Sequence, residues 1–248
     1  MRTLSVLSGA LLALALSTAP SSAQGSWQVA YPEARDTMHA LMRQMFLQQD
    51  ALASLVQPLN EYFPVPRATT VEIAECGRPG AFYDAPRPAV QLCYELITDL
   101  AQRLMGDDAE GGQDLFTGAF AIVLLHQVGH AMVDLLKLPV TAPLEEAADQ
   151  FVAVMARYAG SELRTVPDGA RALSETGIDW ENPGSDRSAL SGRRLENLLC
   201  LVYGTDPTAH ERVVSEGMLP AERAGACPAR YREVEAEWME MLSKHVKH

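Results

Sequence analysis

Basic residues are scarce in this chain. Twenty Lys and Arg stand against 32 Asp and Glu, a formal net charge of −12. No long Lys/Arg cluster breaks that balance, which argues against nucleic acid and against anionic membrane surfaces as partners. Cysteine is also sparse, and none of the four falls in a C-x-x-C pair. This spacing argues against a thiolate zinc site or a thioredoxin-type redox pair. There is no internal repeat and no low-complexity tract. Hydrophobic content, at 48%, is ordinary for a globular protein, so disorder is not the default.

The N-terminal apolar run, Leu4–Leu16, falls short of the roughly 18–20 residues needed to cross a bilayer. With Arg2 before it and Ser21-Ser22-Ala23 after it, it has the layout of a secretory signal peptide spanning residues 1–23. No cysteine follows the run to carry a lipid. Removal of residues 1–23 leaves 24–248 as one domain and takes the net charge from −12 to −13, since the lost segment carries only Arg2. The expected location is thus outside the cytoplasm, periplasmic or secreted. There an even set of cysteines reads as two disulfides. Three pairings are possible, and Cys76–Cys93 with Cys200–Cys227 is favoured because each pair brackets one local unit.

Apolar positions from about Pro32 to Phe63 recur at helical spacing. Residues 68–74 alternate and are rich in β-branched side chains, as in a strand. Short strands at Ala81–Tyr83 and Ala89–Cys93 flank a Pro-rich bend, so a small antiparallel meander is expected. Helical patterning resumes at Tyr94 and runs to about Gly106. Between Leu115 and Val133 there is no charged residue, and the polar exceptions are Thr117, His126, Gln127 and His130. Two histidines and a glutamine at the centre of this segment favour a buried core helix over a membrane span. Pro139 and Pro143 break it, and a second helix is expected from Leu144 to about Ala159. Further helices are expected at 189–203, 207–216 and 220–246, with a Gly/Pro/Asp-rich loop at 177–186.

His126 and His130 lie four residues apart on the apolar helix, about 40° from eclipsed, so both imidazoles can meet one metal ion. With six histidines in the chain, such a pair is uninformative by itself. Its setting adds weight, because two buried imidazoles are costly unless each finds a partner. The bland alternative is a pair of core histidines bonded to carbonyls or carboxylates. On the next helix Glu145 lies about 60° and Asp149 about 100° from the apolar face defined by Ala148, whereas Glu146 points about 160° away. Glu145 is placed to act as third ligand. Asp149 is placed to bond the second ring nitrogen of a ligand histidine.

His126-x-x-x-His130 followed by Glu145-x-x-Ala148-Asp149 resembles the zincin peptidases whose third ligand is a glutamate from the following helix. More narrowly, Ala119–Phe151 together with Cys93-Tyr94-Glu95-Leu96 is similar to an exported bacterial family described as putative metallopeptidases of uncharacterised function. The resemblance runs over roughly the whole chain. It implies an α+β, zincin-like fold, mostly helical with a small meander. It further implies one zinc ion held by His126, His130 and Glu145, and peptide-bond hydrolysis as the reaction.

The departure is Gln127, where that family's pattern has the general-base glutamate. Glutamine is nearly isosteric and can accept a hydrogen bond, but it cannot take a proton at neutral pH. Losing a general base costs about 10²–10⁴ in rate. Three explanations stay open: a natural pseudoenzyme, a substitution introduced into the gene, or another carboxylate such as Glu95 in the missing role. His39, His210, His245 and His248 read as surface, satisfied or tail residues. Tyr83, Tyr94 and Tyr203 are read first as structural tyrosines. The Trp180–Asp186 segment is a surface loop or a cover over a cleft. Three classes therefore compete: a zinc metallopeptidase acting on peptide or protein, a non-catalytic pseudopeptidase binding a peptide or partner in the same cleft, and a metal-free helical protein.

Overall fold

In a computed structural model the described residues are 25–50, 52–105, 109–159, 164–182, 189–190 and 192–245. The expected signal peptide lies outside them, as do Asp186 and His248. The architecture is α+β, 61% helical with one four-stranded sheet. Elements follow in the order β1 (Trp27–Ala30), α1 (Thr37–Gln49), α2 (Ala53–Tyr62), β2 (Thr69–Ala74), β3 (Ala81–Asp84) and β4 (Ala89–Cys93). Next come α3 (Tyr94–Leu104), α4 (Ala109–Leu136), α5 (Leu144–Ala159) and α6 (Val166–Thr176). The last four are α7 (Arg193–Thr205), α8 (Arg212–Ser215), α9 (Ala221–Ala224) and α10 (Cys227–Ser243).

The helical stretch expected over 32–63 divides at Asp50, whose φ is 49°. Its apolar positions do not all face inward: Phe46 and Leu52 are buried, while Met38, Leu41 and Met45 are exposed.

The sheet is mixed, which corrects the expected antiparallel meander. Its order is β1-β2-β4-β3, with β1–β2 and β2–β4 parallel and β3–β4 antiparallel. The reason lies in β4, where Ala89, Val90, Leu92 and Cys93 are all buried. A strand apolar on both faces belongs inside a sheet. The Pro-rich bend folds β3 onto one side of β4 as a hairpin, and β2 takes the other side. The chain from Ala74 to Ala81 must then cross the end of β4, and the Cys76–Cys93 disulfide staples that crossing. Glu95, at the start of α3, accepts hydrogen bonds from the backbone N–H groups of Cys76 and Gly77 in the same turn.

The second disulfide joins Cys200 of α7 to Cys227 at the start of α10. Sequence separations of 17 and 27 correspond to about 3–4 kcal/mol of loop-closure stabilisation each in the chain-entropy model. Two disulfides favour an exported protein.

Helix α4 is the centre of the body, packed by α3, α5, α6 and the β3–β4 hairpin. Gly111–Leu136 is long and apolar enough to cross a membrane, but 83% of its most apolar window is buried within the protein. The apolar residues are thus accounted for by core packing. The helix ends at Lys137 in the left-handed conformation (φ 51°), followed by Pro139. Chain reversal through 137–143 then sends α5 back along α4.

Two elements are not foreseen by the pattern of the sequence, β1 and α6. Helix α6 lies against α4 where Gly118 meets Gly169: an added Cβ at Gly118 would sit 2.1 Å from the Thr165 carbonyl oxygen, and one at Gly169 would sit 2.3 Å from the Ala119 nitrogen. Backbone cannot yield there as a flexible side chain can. Gly118→Val is therefore expected to destabilise the fold by about 3 kcal/mol or more, the upper end for overpacking, as a lowered midpoint in urea denaturation.

Candidate metal centre

The site begins with how closely two helices approach. Gly129 of α4 faces Ala148 of α5; an added Cβ at Gly129 would lie 3.0 Å from the Ala148 Cα and 3.2 Å from the Phe151 Cβ. With small residues on both sides the backbones nearly touch. The residues flanking that contact, His126 and His130 on α4 and Glu145 and Asp149 on α5, are then forced together.

The His126 ring is fully buried. Its Nδ1–H donates to Asp149 Oδ1 at 2.9 Å, which leaves Nε2 directed at the cluster. Around that nitrogen stand His130 Nε2 at 3.0 Å, Glu145 Oε2 at 3.2 Å and Glu181 Oε1 at 3.0 Å. Glu145 Oε1 is 3.6 Å from His130 Nε2. One ligand atom each from His126, His130 and Glu145 lies within 4.8 Å of the others. These three residues could hold a metal ion, and two imidazoles with a carboxylate form a donor set suited to a borderline divalent cation. Glu146 is half-buried and contributes none of these contacts.

Behind the histidine, Asp149 is 3% exposed and accepts from Arg194 through both oxygens, each at 2.9 Å. The same guanidinium reaches Glu181 at 3.5 Å and Glu145 at 3.8 Å. Burial alone would raise the Asp149 carboxyl, but hydrogen bonds from His126 and Arg194 reverse this and hold it below the usual carboxylate range. Burial likewise opposes a charge on His126. The carboxylates of Asp149, Glu145 and Glu181 outweigh it and pull the imidazole up to about 10. Hydrogen bonds with His126 and His130 hold Glu145 well below its ordinary value. Three carboxylates against one guanidinium give the pocket a strong preference for a cation at the imidazole nitrogens.

Gln127, one residue past His126, is 3% exposed and lines a cleft of about 640 Å³ beside His130. Further walls come from Ala81–Tyr83 of β3, the end of α4, Leu144 and Glu181. Leu144, at the start of α5, is 50% exposed at this rim. The Tyr83 hydroxyl donates to Asp134 at 2.9 Å; burial, and then that carboxylate, push Tyr83 up to about 12. Tyr94 packs elsewhere, stacked on His39 with ring centroids 5.4 Å apart. Glu95, held by the Cys76–Gly77 turn, is not the carboxylate that joins the cluster.

Glu181 joins it instead, and with Arg194 it is what the sequence did not reveal as part of the site. Glu181 follows Trp180, which is 1% exposed and packs edge-on near the His126 ring, centroids 6.0 Å apart. The Trp180 carbonyl accepts from the Ala81 N–H at the start of β3. The available signal was a buried-type tryptophan inside a Gly/Pro/Asp-rich loop. Arg194 sits in the first turn of α7, with no local pattern to single it out.

A model of the family described as "putative metallopeptidase" matches residues 31–242. The chain belongs to that family. No curated protein and no solved structure matches it. Within this metallopeptidase family member, the match spans all four cluster residues contributed by α4 and α5, as well as Glu181 and Arg194.

Removing one partner of a buried ion pair costs roughly 3–5 kcal/mol. Arg194 is partly exposed and His126 still bonds one Asp149 oxygen, so Arg194→Ala is expected to cost less, about 2 kcal/mol. Chemical denaturation of the metal-free protein measures it. A change below a few tenths of a kcal/mol would mean that Arg194 does not hold Asp149.

Proposed function

We propose that this protein is a zinc-binding, metallopeptidase-like protein of the bacterial cell envelope, exported to the periplasm or beyond, whose hydrolytic activity is impaired at Gln127. The observation that carries the reading is the convergence of His126, His130 and Glu145 on one point, with Asp149 fixing the far nitrogen of His126. Bound zinc would supply a Lewis acid for a scissile carbonyl. His126, His130 and Glu145 would hold it, and the Asp149–Arg194 pair would keep the His126 ring in the ligating tautomer.

The cleft beside them takes a peptide or protein segment; neither nucleic acid nor a bilayer is a partner. Gln127 faces the reacting position and can orient a water through its side-chain oxygen. It cannot accept the proton that the attack releases. That same residue favours a second reading, in which the cleft binds a peptide or partner without cutting it.

Metal analysis tests the first part. About one equivalent of zinc should remain after saturation and desalting, and His126→Ala with His130→Ala should abolish it; retention under about a tenth of an equivalent by the unaltered protein would sink the metal claim. Peptide cleavage tests the second. Gln127→Glu is expected to raise cleavage by about 10²–10⁴-fold. If neither form cleaves any peptide in a mixed library, the hydrolase reading fails and the binding one stands.

A further inference from the structure

The cleft beside His130 is polarised along its length. At one end stand Gln127, His130 and Glu181, and at the other Asp134 and Lys137 with the Tyr83 hydroxyl. Lys137 follows His130 by seven residues, about 10 Å along the axis of α4. Much of the remaining wall is apolar, from Ala81 and Phe82 of β3, Val133, Leu138 and Leu144. Among the described residues that line the cleft, Lys137 is the one cation.

The backbone sets Lys137 in place. It adopts the left-handed conformation that ends α4, and the N–H groups of Lys137 and Leu138 return to the carbonyls of Asp134 and Val133. Its Nζ donates to Asp134 Oδ1 at 2.7 Å, and the Tyr83 hydroxyl donates to Asp134 Oδ2 at 2.9 Å. Both oxygens of Asp134 are thus engaged, and Lys137, ahead of its other neighbours, holds that carboxyl below its usual value. Arg67 stands at the same corner. Its guanidinium donates to the carbonyl of Ala85, another lining residue, at 3.0 Å, and its charge acts on Tyr83 and Asp134. Two cations against one carboxylate leave positive charge in excess here, whereas Glu145 and Glu181 gather at the histidine end.

An i,i+3 ion pair such as Asp134–Lys137 is ordinary on a helix surface. Its place at the end of an apolar cleft gives it a further use. An ammonium has three donors and Asp134 takes one, so two are left for an acceptor on a ligand. The side chain is largely exposed, which leaves those donors accessible. A cleft of about 640 Å³ is the size of a small-molecule pocket, roughly 300–1,000 Å³, and suits a chain end better than a polypeptide passing through. Of the two kinds of chain end, the ammonium would be drawn to the carboxylates beside His130 and the carboxylate to Lys137.

We propose that the cleft takes the C-terminal end of a peptide, with apolar side chains against its walls and the terminal carboxylate on Lys137, about three extended residues from His130. This rests on the peptide-binding reading of the cleft given above.

Dansylated tetrapeptides of leucine and phenylalanine, with a free or an amidated C-terminus, are the probes. Fluorescence anisotropy measures their binding to the zinc-loaded and the metal-free protein. The free acid is expected to bind about tenfold more tightly than the amide, the worth of one hydrogen bond to a charged group. Lys137→Gln should remove that difference by weakening the acid alone, and Lys137→Arg should keep most of it. The preference should persist without zinc, because Lys137 and not the metal holds the carboxylate. Leu144→Ser should weaken acid and amide alike by about fivefold, through lost apolar contact. Equal thermal midpoints of the variants establish that the fold is intact. Equal binding of acid and amide, or a preference that Lys137→Gln leaves in place, overturns the carboxylate site while peptide binding stands. An amidated peptide ending in aspartate that binds as well as the free acid also overturns it, in favour of side-chain recognition. Unchanged binding in Leu144→Ser overturns the role of the apolar walls. If no peptide binds to protein that retains zinc, this proposal and the peptide reading fall together and the metal centre stands.

Discussion

Contact between Gly129 and Ala148 sets the spacing of α4 and α5, and the site depends on that spacing more than on any single polar bond. A Cβ at Gly129 would meet the Ala148 Cα at 3.0 Å and the Phe151 Cβ at 3.2 Å, so the two helices would have to shift against each other beside the four groups that flank the contact. The Gly in H-x-x-G-H and the Ala in E-x-x-A-D are thus steric conditions for the chemistry beside them. Packing density makes the condition strict, since a core at crystal-like density absorbs little displacement. The rest of the body serves the same end. Helix α6 presses on α4 through a second glycine contact, and the β3–β4 hairpin closes the opposite flank.

Electrostatics follows from that geometry. His126 is buried at the centre of the cluster, where an unpartnered imidazole would be expensive. Asp149 satisfies one nitrogen, and Arg194 in turn satisfies Asp149. Each group is buried only because the next one compensates it, and the chain of compensation ends at a nitrogen surrounded by acceptors. Elsewhere among the described residues acidic side chains pair with ordinary neighbours, as buried Glu72 does with Arg87 and Gln91. Here they are ordered by α5, α7 and one loop around two imidazoles, and the order distinguishes a cation site from an acidic patch.

What could be read from the sequence depended on how local the determining pattern was. His126, His130, Glu145 and Asp149 were legible because helical periodicity alone sorts them onto facing sides of two consecutive helices. The presence of both strands and helices was legible from the change of period near Cys93, and the α+β class was what the family resemblance implied. Strand order was not: a parallel neighbour such as β1 or β2 leaves no turn signal between partners, so alternation around one bend suggested a meander. Nor were α6 or Arg194 legible, since their contacts with α4 and Asp149 come from remote stretches of chain. Glu181 lies between these cases. The loop that carries it was visible as a loop, but its docking beside His126 is fixed by Trp180, and a tryptophan in a polar loop does not say which core it enters.

Position 127 is of a different kind from its neighbours. His126, Gly129 and His130 take part in holding α4 against α5 or in the cluster between them, so replacing any of them disturbs the packing as well as the chemistry. Gln127 faces the cleft wall and differs from glutamate by one isosteric group. Exchange there alters proton transfer and leaves the helix contact, the carboxylate–histidine–arginine chain and the ligand set as they are. A centre built this way can lose its base without losing its cation. Cation binding and peptide cleavage would therefore be separable at such a site, and the groups that could hold a metal are the ones tied into the core.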